Sequence, residues 1–184
     1  MNIKELVKDA HENAKAKGWH DEDRTFGELI ALCHAELSEA LEEYRNGRGL
    51  GEIYYVGYDM SDNKVEKDHK FEGVYGLCKP EGIPIELADV VIRIADMFGK
   101  NGTDITLVTR HTFYREFDTF GDFISLCHLH LSMAYEYNSY KSLKGLITVI
   151  EKFCSGAEID LDEATRIKME YNKGRSHKHG GKVL

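Results

Sequence analysis

Between residues 26 and 44 apolar side chains return at Phe26, Ile30, Cys33, Leu37, Leu41 and Tyr44, the three-and-four spacing of one helix face. Thr25-Phe26-Gly27-Glu28 ahead of them reads as a capping box, with Thr at the N-cap and Glu at N3. The helix it opens runs to about Arg45, where Asn46-Gly47 and the glycines 49 and 51 stop it. Upstream, residues 2–17 are helix-like and lead into a Gly18-Trp19-His20 loop. Downstream, Pro84 sits in the first turn of a helix reading IPIELADVVIRIADMF, apolar nearly all round and therefore buried. That helix reaches about Phe98 and ends at Gly99-Lys100-Asn101-Gly102. Further helices are expected over 104–115, 119–138, 140–154 and 160–173. Only the stretch 52–78 changes character: Ile53-Tyr54-Tyr55-Val56 and Val74-Tyr75-Gly76-Leu77 flank a polar segment holding Asp62-Asn63, the pattern of a β-hairpin or small ribbon.

The map contains a repeat. Residues 25–44, TFGELIALCHAELSEALEEY, align without a gap on 119–138, TFGDFISLCHLHLSMAYEYN, with eleven of twenty positions identical. Residues 84–105 and 139–160 are candidate second halves on a weaker alignment. A duplicated helix pair predicts an all-α fold with a four-helix core, two pairs packed about a pseudo-twofold axis within one domain spanning 1–184. The ribbon then lies in an insertion, 46–82, and a basic tail follows at 174–184.

On the helix from Thr25, a second stripe stands a quarter to a third of a turn from the apolar face: Leu32, Glu36, Glu39 and Glu43. Glu36 and Glu39 are one turn apart and can reach a single point. An ExxE on a helix is most often a solvated face, so alone this says little. The buried helix alters the weighting, because Glu86 and Asp89 sit inside it, again three apart, with Arg93 one turn on. Burying an unpaired carboxylate costs several kcal/mol, so these acids need partners. A salt bridge to Arg93 or another base is one answer. The other is a hard divalent cation held by Glu36, Glu39, Glu86 and Asp89, with Mg²⁺ or Mn²⁺ suited to so many carboxylates. The repeat supplies an internal control: the positions of Glu36 and Glu39 are His130 and Met133 in the second copy, and those of Glu86 and Asp89 are Lys141 and Lys144. The scaffold was kept and the acids were not, so the second copy reads as degenerate.

Charge narrows the class. At −8 the chain is ill suited to a broad nucleic-acid footprint, though not to a small anion held through a metal. Cys33, Cys78, Cys127 and Cys154 make no CxxC pair or zinc-finger spacing. No signal peptide and no apolar run of membrane-spanning length is read, so a reduced cytoplasmic protein is expected. The Glu-x-x-His pairs of di-iron carboxylate bundles occur in neither acidic motif.

Glu36-x-x-Glu39 followed by Glu86-x-x-Asp89 resembles the signature of the MazG-like all-α nucleoside triphosphate pyrophosphohydrolases. HAELSEALEEYR, GIPIELADVVIRIADMF and the C-terminal KMEYNKGRSHKHGGK are similar to members of that group beyond the four acids. The resemblance covers roughly 20–45, 80–105 and 160–182. Two departures stand out: the insertion lengthens the segment between the motifs, and a degenerate second helix pair is present. The resemblance implies Mg²⁺-dependent (or Mn²⁺-dependent) hydrolysis of a nucleoside triphosphate to monophosphate and pyrophosphate, in house-cleaning or nucleotide-pool control, by a homo-oligomer such as a dimer. It implies Glu36, Glu39, Glu86 and Asp89 as ligands, Glu39 doubling as the base that activates water, and Lys168, Asn172, Arg175 and Lys182 as nucleotide contacts. Glu43 is the alternative base, or a surface glutamate. Arg93 is either a phosphate donor or a charge partner for Asp96, and Trp19 either stacks on the base or plugs the first helix. The rival reading is a non-catalytic metal- or nucleotide-binding helical protein, acting as sensor or assembly module.

Overall fold

The computed structural model describes residues 2–106 and 117–178. Its helices are α1 (Ile3–Ala16), α2 (Phe26–Arg45), α3 (Ile83–Asn101), α4 (Phe120–Glu136), α5 (Tyr140–Gly156) and α6 (Leu161–Gly174). The expected starts have the expected chemistry. Thr25 Oγ1 accepts from the Glu28 amide at 3.2 Å while the Thr25 amide donates to Glu28 Oε2 at 2.6 Å, closing the capping box. Thr119 caps α4 the same way through the Asp122 amide at 3.1 Å. Pro84 occupies the first turn of α3, and Gly102 ends that helix in the left-handed conformation at φ 67°. Of the helix expected over 104–115, residues 104–106 are irregular and turn, and 107–116 lie outside the described residues.

The apolar circumference of α3 is explained by its position. α1, α2 and α6 pack along it, and α5 touches it from the remaining side. Leu87, Ile94 and Phe98 are fully buried there, each contributing about 1.5–3 kcal/mol of transfer free energy. α4 pairs with α5 and docks on α2, so α2, α3, α4 and α5 form the four-helix core, with α1 and α6 added against α3. Where α2 meets α4, His34 and His128 stack with ring centroids 5.0 Å apart and Nδ1 atoms 2.7 Å apart. These residues occupy the same position in the two aligned segments. Ser38 and Ser132, also equivalent, each donate to the carbonyl of the histidine four residues earlier at 2.9 Å.

The expected ribbon is present as a small sheet of more than two strands. β1 (Tyr54–Tyr58) is flanked by β2 (Lys64–Lys67) and β5 (Lys79–Glu81), both antiparallel, in the order β2-β1-β5. Val74–Leu77 is not the partner of Tyr54–Val56. It contributes to a two-residue ladder, β3 (Glu72–Gly73) with β4 (Gly76–Leu77). The hairpin turn falls at Asp59–Asn63, where the Asp59 carboxylate accepts from the Ser61 and Asn63 amides at 2.8 and 3.0 Å. Pro80 is tolerated because β5 is an edge strand. β5 then feeds α3 through Gly82, whose φ is 113° and where a Cβ would stand 2.3 Å from the Glu52 carbonyl oxygen. Only glycine fits that junction. No helix among the described residues is long and apolar enough to cross a membrane.

Candidate functional site

Helical spacing and the α2–α3 packing together gather three of the four acids. Glu36, Glu86 and Asp89 each offer a carboxylate oxygen, and the three atoms lie within 4.8 Å of one another. Two cations answer them. Arg93 Nε and Nη2 both donate to Glu36 Oε1, at 2.8 and 2.6 Å. Lys168, from α6, puts its Nζ 2.6 Å from Asp89 Oδ2. Arg93 is therefore the partner of Glu36 and not of Asp96. Lys168, only 2% exposed, is the charge partner of Asp89.

Glu86 is the residue this arrangement leaves short. It is 1% exposed, and its Oε2 has no hydrogen-bond partner. Burial, with the neighbouring Asp89 charge adding to it and Lys168 opposing, pushes its carboxyl up to about 9. The Lys168 ammonium is held above its ordinary value: burial alone would discharge it, and the charges of Asp89 and Glu86 outweigh burial. Asn172, next to this group on α6, also has a buried and unpartnered Oδ1. Orphaned acceptors cost about 1–3 kcal/mol each, and here both are oxygens. Glu36, Glu86 and Asp89 form a carboxylate set of the kind that could hold a hard dication.

Glu39 lies outside this group of three, one turn along α2 and exposed at its edge. Its carboxyl is pushed up by partial burial and then by the charges on Glu36, Glu81 and Asp89, against Lys79. Lys79 and Glu81, ion-paired at 2.7 Å, come from β5, so the insertion supplies part of the rim. No acidic motif marks them in the sequence, and only the return of the ribbon onto α3 and α6 brings them near. Glu43 is engaged elsewhere: the Tyr54 hydroxyl donates to it at 2.9 Å, and Arg48 stacks on the Tyr54 ring at 3.9 Å. It anchors the ribbon to α2.

Beside the acids opens a cleft of about 780 Å³, counting the open space at its mouth. Asp89, Arg93, Asn172, Arg175 and Trp19 all line it. Arg24 stacks over the Trp19 indole at 5.0 Å and donates to the Trp19 carbonyl, so the indole is braced from one side. Sequence reasoning missed the far end of this cleft, where His20 and Asp96 line the wall and His11 joins them. The stripe Asp89-Arg93-Asp96 at four and three residues was the available signal. Lys182 lies outside the described residues. His177 meets Asp21 at 3.0 Å, tying the start of the tail to the Trp19 loop.

His130, which aligns with Glu36 in sequence, is buried with its Nδ1 3.3 Å from the Ser142 carbonyl oxygen. Lys144, aligned with Asp89, donates to the Ile105 carbonyl. Compared with protein-family models, curated proteins and solved structures, the chain matches none.

Proposed function

We propose that this protein hydrolyses a nucleoside triphosphate, most simply a deoxynucleoside triphosphate, to the monophosphate and pyrophosphate with Mg²⁺ (or Mn²⁺) as cofactor. The observation that carries the reading is the three-carboxylate group with the orphaned Glu86 Oε2, opening through Asp89 onto a cleft lined by Arg24, Arg93 and Arg175. Glu36, Glu86 and Asp89 would hold the cation, with Glu39 at the rim. Bound there, Mg²⁺ would neutralise phosphate charge and acidify a water. Arg93 and Arg175 answer the remaining phosphate charge, with bidentate donors suited to phosphate oxygens. Arg175 is half-buried, which disfavours its charge and favours pairing with an anion. Glu39 is the proton acceptor for the attacking water, since its raised carboxyl is a better base than an ordinary glutamate. Trp19 offers a flat apolar face for a nucleobase.

The His34–His128 contact supports the duplicated architecture, because equivalent residues meet where a twofold axis passes between copies. The four free, buried cysteines suit a reducing compartment such as the cytoplasm. A second reading has one observation in its favour: two of the acids are already ion-paired, as a purely structural network would be. Incubation with a panel of NTPs and dNTPs and Mg²⁺, following pyrophosphate and orthophosphate separately, divides the two. Pyrophosphate release lost in Glu39→Gln supports hydrolysis at the α-phosphorus; orthophosphate or no turnover ends it.

A further inference from the structure

At the far end of the cleft, two histidines and an aspartate converge from three parts of the chain. His11 comes from α1, His20 from the loop after it, and Asp96 from α3. Their ligand atoms lie within 4.8 Å of one another. His11 Nδ1 and His20 Nε2 are each 2.9 Å from Asp96 Oδ1, and His20 Nε2 is 3.2 Å from Oδ2. The two rings meet edge to face at 4.8 Å. A tetrahedral metal with bonds of about 2.0–2.2 Å holds its ligand atoms about 3.4 Å apart. The two histidine–Asp96 separations are hydrogen-bond lengths, a little shorter than that, so an ion would replace these hydrogen bonds with a small outward movement of the rings.

The surroundings are arranged for close approach. Gly99 stands inside α3, where glycine costs about 1 kcal/mol against alanine. A Cβ there would lie 2.5 Å from His11 Cβ and 2.8 Å from its Cγ, so the glycine is what lets the ring come down onto Asp96. The nearest cations are engaged elsewhere. Arg24 is on Trp19, and Lys100 is directed to Asp23 at 3.7 Å. Among the described residues, the Asp96 carboxylate thus pairs with both imidazoles and with no lysine or arginine.

We infer that His11, His20 and Asp96 form a second metal site, for a borderline transition-metal dication of the Zn²⁺ class. Two imidazoles and one carboxylate select such an ion over Mg²⁺, whereas the all-oxygen group of Glu36, Glu86 and Asp89 selects the opposite. Asp96 lies seven residues beyond Asp89 on α3, about 10 Å along the helix. That is too far for a shared two-metal centre, whose ions sit about 3.5–4 Å apart. The second ion instead clamps α1 and the loop carrying Trp19 onto α3, closing the cleft from that end.

The test is titration of metal-free protein with Zn²⁺ by calorimetry, and with Co²⁺ by absorption, in saturating Mg²⁺. The expected result is one equivalent bound, with affinity falling at least tenfold in Asp96→Asn and in His20→Gln. Binding should be unchanged in Glu86→Gln and in the tail variant His177→Gln with His179→Gln. Helical circular dichroism identifies variants that fail to fold, and Trp19 fluorescence should shift on binding in the wild type. No binding, or binding that survives Asp96→Asn or is lost in the tail variant, overturns the inference. The site stands whether or not the chain hydrolyses nucleotides.

Discussion

Glu86→Gln should make the metal-free protein more stable at alkaline pH and insensitive to Mg²⁺. Glu86 is buried, and its folded carboxyl titrates near 9 against 4.5 as an ordinary side chain. Between those values the unfolded chain has released the proton and the folded chain retains it. Folded protein therefore binds more protons, and stability must fall as pH rises, by about 1.4 kcal/mol per pH unit. Between pH 7 and 8.5 that amounts to about 2 kcal/mol, or some 4–8 °C in melting temperature for a chain of this size. The window lies above the histidine range and below that of Lys168. Glutamine has the same shape and no such slope. The assay is urea denaturation of both proteins in EDTA at pH 7.0, 7.5, 8.0 and 8.5. The wild type should lose stability relative to the variant across the series. Added Mg²⁺ should restore it increasingly toward high pH, because the ligand form is the carboxylate. Parallel curves for the two proteins would refute a buried carboxyl held protonated at this position, and equal Mg²⁺ stabilisation of both would refute its proposed role as a metal ligand.

Other expectations follow from particular contacts. Lys168→Met strands the Asp89 carboxylate without its cation and should cost about 3–5 kcal/mol in urea melts; a loss below 1 kcal/mol would show the pair to be dispensable. Burial holds His34 and His128 below their ordinary value, so the folded state resists protonation and stability should fall as pH drops below 6.5. The double variant His34→Asn with His128→Asn should flatten that fall in thermal melts from pH 7 to 5. Gly82→Ala places a Cβ against the Glu52 carbonyl at a positive φ and should lower stability by about 2 kcal/mol or more, with the ribbon loosened first in hydrogen exchange. Trp19→Ala should raise KM for a nucleotide about tenfold with kcat little changed; an effect on kcat alone would remove the stacking role.

The helices were legible in the chain because their determinants are local. Thr25-Glu28, Thr119-Asp122, Pro84 and Gly102 act within one turn, and the apolar spacing of α2 and the saturation of α3 report which faces are covered. The acids of α2 and α3 were legible for the same reason, since spacing of three fixes which side chains share a face. Which of them converge is a matter of helix packing. Contact of α2 with α3 draws Glu36, Glu86 and Asp89 together and leaves Glu39 at the rim, and no spacing encodes that difference. Partner choice was decided in three dimensions as well: Arg93 took Glu36, Asp96 took two histidines from outside its helix, and Lys168 came from α6. The ribbon register escaped a pattern reading because Tyr54–Tyr58 and Val74–Leu77 are both short and strand-like, so alternation alone cannot say which segment pairs with which. The sequence by itself determined where charge had to be buried. Only the tertiary structure decided who neutralises it, because burial and pairing are properties of contacts between segments far apart in the chain.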